Sequence, residues 1–92
     1  MISLPTTLTM EHASSVLRDL AEGISKEPGE VVVIDASALA ELDTSAVAAL
    51  LECRRIAQIN GRCIELRNVP PRLADLARLY AVAELIGIPA AV

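Results

Sequence analysis

The 92-residue chain has no phenylalanine and no tryptophan, and Tyr80 is its only aromatic side chain. A core without large rings must be filled by Leu, Ile, Val and Ala, which fill space only when helices and sheet pack closely. The same lack removes the stacked aromatics that read single-stranded nucleic acid. Positive charge is scarce too: eight Lys and Arg stand against twelve Asp and Glu, a net charge of −4. Phosphate backbones demand a basic patch, so no nucleic acid partner is expected. One histidine, two cysteines and four glycines leave little for catalysis, metals or nucleotides. The spacing supports no Ser-His-Asp, Cys-His or paired-carboxylate arrangement. A tetrahedral metal set lacks ligands, and no glycine-rich phosphate loop is present. The expectation is a non-enzyme with no catalytic, metal or cofactor site. No apolar run nears the roughly 20 residues that span a bilayer, because Asp35, Glu52 and Glu84 break the longest stretches. Met1 to Pro5 lacks a basic segment leading into an apolar run, which predicts a cytoplasmic protein without direct membrane insertion. Cys53 and Cys63 then read as reduced core residues.

What is present is an apolar share of 53% in a chain short enough for a single domain over residues 1–92. Ile2 to Leu8, broken by Pro5, supplies one short strand or edge at most. From Thr9 as N-cap, apolar residues at Ala13, Val16, Leu17, Leu20 and Ile24 have the spacing of a one-sided helix. His12 falls near the edge of that stripe and reads as a surface or cap-region residue. After the Pro28-Gly29 turn, Val31 to Ile34 are four consecutive β-branched residues, the pattern of a central strand covered on both faces or closely hemmed in, ending at Asp35. A loop over Ala36 to Leu42 leads to a second helix that begins near Asp43 or Thr44 and runs to Asn60-Gly61, with a core stripe of Ala46, Ala49, Leu50, Cys53 and Ala57. Cys63 to Leu66 reads as a strand, and a third helix starts at Pro71 with Leu73, Leu76, Ala77 and Tyr80 on its core face. Val82 to Ile88 fits a last short strand or a helix equally well. Alternating strands and helices predict an α/β layer fold, whose sites lie at the carboxyl ends of strands, here Asp35 to Ser45.

The segment Val33 to Ser45 reads Val-Ile-Asp-Ala-Ser-Ala-Leu-Ala-Glu-Leu-Asp-Thr-Ser. It resembles the signature of STAS domains, in which an apolar strand ends in Asp-x-Ser and a loop leads to Asp, Ser or Thr, a small residue and Gly at a helix start. Asn60-Gly61-Arg62 and Leu76 to Tyr80 are similar to the MlaB-type branch, the cytoplasmic STAS subunit of the Mla phospholipid-transport ABC system. The resemblance runs from about Thr7 to the end. It departs in two places: Ala46 stands where the family usually has Gly, and little precedes Leu8, so an edge strand is expected to be missing or supplied by another chain. The resemblance implies a small STAS (SpoIIAA-like) α/β domain, with a mixed, mainly parallel sheet of about four strands and three to four helices.

It also implies a non-enzymatic module that binds and regulates or stabilises the ATPase subunit of an Mla-type ABC transporter. The module would be peripheral at the inner membrane through that partner and would serve phospholipid trafficking and outer-membrane lipid asymmetry. The runner-up is an anti-sigma factor antagonist, bound by an anti-sigma factor kinase that phosphorylates Thr44. Thr44 matches the family's functional Ser or Thr. By physics alone a hydroxyl in a first helical turn lies beside unpaired N–H groups and the positive dipole end. A phosphate there would meet those donors, while Asp43 next door opposes it; otherwise Thr44 or Asp43 simply caps the helix. Asp35 and Ser37 read either as turn residues satisfying backbone N–H groups or, for Ser37, as the border of the partner surface. Helical projection, independent of any family, places Ala48, Glu52, Arg55 and Ile59 on the outer side of the second helix with Leu51 at its border. That mixture of apolar and charged residues suits a docking patch with a charged rim. The expected partner-binding residues are therefore Ser37, Asp43, Thr44, Ser45, Ala48, Leu51, Glu52 and Arg55.

Overall fold

The computed structural model describes residues 1–88. Among them are three helices and five short strands: β1 (Ile2–Ser3), β2 (Thr7–Leu8), α1 (Ala13–Lys26), β3 (Val31–Asp35), β4 (Glu41–Leu42), α2 (Thr44–Ile59), β5 (Cys63–Arg67) and α3 (Pro71–Leu79). The α/β class and the mainly parallel arrangement agree with expectation. One sheet has the order β1-β3-β5 and a second, two-stranded ladder joins β2 to β4. Every pair is parallel, with Val31 opposite Cys63 through Asp35 opposite Arg67, and Ile2 opposite Ile34.

Successive crossovers step in one direction along the sheet, and a single crossover hand then places their helices on one face. α1 packs against α2 and β1, and α2 packs in turn against β5 and α3. The core lies between this helix layer and the sheet, filled by Leu4, Leu8, Ile24, Val32, Ile34, Leu50, Cys53, Leu66, Leu73 and Ile86. Removing the Leu50 side chain from such packing costs about 2–5 kcal/mol. The unbroken β-branched run of β3 predicts cover on both faces, yet burial alternates. Val32 and Ile34 are buried while Val31 is 48% exposed. β-branching here serves the extended backbone; only one face meets the helices. Cys63, opposite Val31, shares the open face and is exposed, so only Cys53 of the two cysteines is a core residue.

The N-terminal segment forms two strands, not one. Pro5 breaks the first ladder, after which Thr6 accepts the N–H groups of Ala40 and Glu41 and the chain pairs with β4 inside the predicted loop. α1 begins at Ala13 behind His12 rather than at a Thr9 cap; the Thr9 carbonyl instead accepts the His12 N–H and closes a preceding turn. Tyr80 is 53% exposed, not a core residue, because α3 ends at Leu79 and Ala81 takes φ +56°, turning the chain before the helical stripe completes. Residues 83–87 form turns, neither strand nor helix, and the Gly87 carbonyl accepts the Leu66 N–H at 2.9 Å on the outer edge of β5.

Gly87 has φ +87°, and a Cβ there would lie 2.5 Å from the Ile64 carbonyl oxygen. Gly87→Ala is therefore expected to destabilise the fold by about 2–3 kcal/mol in urea titration, while Gly29→Ala, with open space around it, costs about 1 kcal/mol. Burial pushes the Cys53 thiol up to about 12. A thiol reagent at pH 8 should modify Cys63 alone in the native protein and both cysteines in denaturant.

Candidate functional site

The site begins where the parallel strands end. The Asp35 carboxylate accepts the Ser37 N–H at 3.2 Å, the Ser37 hydroxyl at 2.8 Å and the Asn68 side-chain amide at 2.9 Å. Asn68 follows β5 at φ +55°, a left-handed position that Asn tolerates. One carboxylate thus ties the carboxyl ends of β3 and β5 together. These donors, Asn68 foremost and then Ser37, hold the Asp35 carboxyl below its ordinary value.

The next carboxylate starts α2. Asp43 is extended at φ −136°, ψ −166° and its Oδ1 accepts the Ser45 N–H at 2.8 Å, the bond of a helix N-cap. Its Oδ2 accepts the Met10 N–H at 3.1 Å. The β2–β4 ladder ends just before Met10 and Asp43, which brings these two segments into register. Asp43 therefore pins the lead-in of α1 to the first turn of α2. The Met10 N–H, then the Ser45 N–H, keep its carboxyl below the ordinary value, with a smaller contribution from the Arg72 charge.

Beyond that cap the predicted outer side of α2 is outward. Thr44, Ala48, Arg55 and Ile59 are exposed, Ser45, Leu51 and Glu52 are half-buried, and Ala46, Val47, Ala49 and Leu50 lie beneath. Arg55 Nε donates to Glu52 Oε1 at 2.7 Å, and Arg55 Nη2 contacts the same oxygen. That bond lowers the Glu52 pKa and raises that of Arg55. Two grooves flank the helix. One, of about 350 Å³, separates it from α1 and is lined by Ala13, Ser14, Leu17, Ser45, Ala48, Ala49 and Glu52. The other, of about 500 Å³, lies toward the end of α3 and is lined by Thr44, Val47, Ala48, Leu51, Tyr80 and Val82.

Ala48 lines both grooves, so α2 presents a narrow ridge from Thr44 to Arg55. The structure brings Asp43, Thr44, Ser45, Ala48, Leu51, Glu52 and Arg55 together on it. Ser37 lines neither groove; its hydroxyl is turned into the Asp35 turn. Sequence reasoning missed Ser14, Leu17, Tyr80 and Val82. Tyr80, the only aromatic, carried a signal, but its helical spacing assigned it inward. Among the described residues no three His, Cys, Asp or Glu side chains converge as a metal site, and no helix is long and apolar enough to cross a membrane. The arrangement can hold a protein surface by shape.

A family model described as "Mlab, STAS domain" matches residues 1–87. Among curated proteins, none matches the chain.

A carboxylate whose folded pKa is depressed contributes stability that is whole above its unfolded value of about 3.9 and is lost as pH falls through the lower folded value. Asp43→Asn is therefore expected to lower the melting temperature at pH 7 and to flatten its decline between about pH 5 and pH 2. An acid limb as steep as that of the wild type would show that Asp43 titrates alike in the folded and unfolded chains.

Proposed function

The chain belongs to the MlaB-type branch of the STAS family, a family of interaction and regulatory domains, and from that premise we propose that it docks on the ATPase subunit of an Mla-type ABC transporter. The contact is the α2 ridge. The observation that carries this reading is the exposure of Ala48 between two grooves, with Thr44 at one end and the Glu52–Arg55 pair at the other. A small side chain at the crest lets a partner approach the helix backbone, and grooves on both sides accept projections from it.

Docking of this kind stabilises or regulates the ATPase and so acts on phospholipid traffic that maintains outer-membrane asymmetry. It places the domain at the cytoplasmic face of the inner membrane through its partner. ATP and lipid stay on the transporter. The ridge itself offers self-paired charges, and an interface can cover the Glu52–Arg55 pair at its rim without stripping a lone ion of water.

Thr44 is exposed at the first position of α2, which favours a second reading, an anti-sigma factor antagonist phosphorylated there by a kinase partner. The Asp43 carboxylate already occupies the Ser45 N–H, so a phosphate would meet both a spent donor and a like charge. That geometry weighs toward the transporter reading.

The ATPase subunit is expected to co-purify with the tagged wild-type chain. Thr44→Glu and Ala48→Arg should each weaken its binding about tenfold or more while melting within about 2 °C of wild type, as exposed substitutions do. Wild-type affinity in both variants would remove the ridge from the contact. Stoichiometric phosphate on Thr44 after incubation with a co-encoded serine kinase would favour the switch instead.

A further inference from the structure

The two grooves beside α2 differ in chemistry. The one toward α1 is edged by Ser14, Ser45 and the Glu52 carboxylate. No charged side chain lines the other, and its far wall is Tyr80, the chain's only aromatic, 53% exposed on the turn that ends α3. Leu79 and Leu85, close to Tyr80 in the chain, are also exposed, at 75% and 44%. A large ring left half in water costs hydrophobic free energy unless something covers it, and partly exposed tyrosines are frequent anchors of protein interfaces.

Resting on the docking reading above, we infer that Tyr80 is the anchor of that contact, and that the ATPase partner seats an uncharged, apolar side chain between Tyr80 and the first two turns of α2. The uncharged lining of the groove selects this occupant. A Lys, Arg, Asp or Glu pushed among Val47, Leu51, Tyr80 and Val82 would lose water and find no counter-ion. Polar groups of the partner belong in the groove toward α1, where Ser14, Ser45 and Glu52 can receive them. The contact then has an apolar centre on one side of the ridge and a polar rim on the other. Tyr80 enters through its ring, because a hydroxyl on an exposed edge can keep its water.

Titration of the wild-type chain and of Tyr80→Phe, Tyr80→Ser and Ala48→Arg with the purified Mla-type ATPase subunit tests this. Tyr80→Ser should bind about 30-fold more weakly or worse, the loss given by truncating a hot-spot aromatic, and Tyr80→Phe within about threefold of wild type. The melting temperature of each should stay within about 2 °C, since the ring is not buried in the free domain. Full binding by Tyr80→Ser beside lost binding by Ala48→Arg would overturn the anchor and leave the docking reading standing. Full binding by both would overturn both. A dimer of the chain alone that Tyr80→Ser dissociates, or a fluorescent fatty acid that Tyr80→Ser alone fails to bind, would give the groove to another occupant and overturn the inference.

Discussion

The carboxylate of Asp43 accepts two backbone N–H groups, one from Ser45 in the first turn of α2 and one from Met10, 33 positions earlier in the chain. Both donors lie where regular structure has not yet supplied partners: at a helix start and in the approach to another helix. A single side chain thereby fixes how α1 and α2 enter their packed layer. The groove between those helices, and the direction in which Thr44 and Ala48 face, follow from that placement. Asp35 acts in the same way one layer below, joining the ends of β3 and β5 through Ser37 and Asn68. Asp35 and Asp43, the two aspartates of the signature segment, are thus structural supports for a surface made chiefly of uncharged side chains.

This division explains how an acidic chain can present a largely neutral ridge. Charges on the ridge are consumed locally: Asp43 by backbone donors and Glu52 by Arg55. Such a surface calls for no matching ions from whatever covers it. Adding a charge at the crest changes that balance more than removing a contact would. Ala48 at that crest stands outside the core of Leu, Ile, Val and Ala beneath the ridge.

Much of the fold was legible because hydrophobic spacing marks α1, α2, β5 and the start of α3, and cap chemistry marks the heads of α2 and α3. Asp43 at the head of α2 and Pro71 at the head of α3 are local signals, and tertiary structure leaves them in place. The outer residues of α2 could likewise be read by projection. What escaped were features decided by distant partners. Glu41 and Leu42 are strand only because Thr7 and Leu8 reach them, and β3 is half-covered because both crossover helices take the same side. Tyr80 has core spacing, yet the helix stops one residue before it. Its outward position depends on the φ of Ala81, which no periodicity reports. The second wall of the larger groove was hidden for that reason.

Gly87 has a consequence beyond its own backbone geometry. By giving its carbonyl to Leu66 it occupies the rim of β5, while the rim of β1 at the other end of the sheet carries only two residues, Ile2 and Ser3. Head-to-tail growth of strands into fibres needs two free rims of useful length on every molecule. Among the described residues, the three-stranded sheet thus has one edge partly taken by the chain itself and another only two residues long, which leaves little ladder for edge-to-edge pairing between copies.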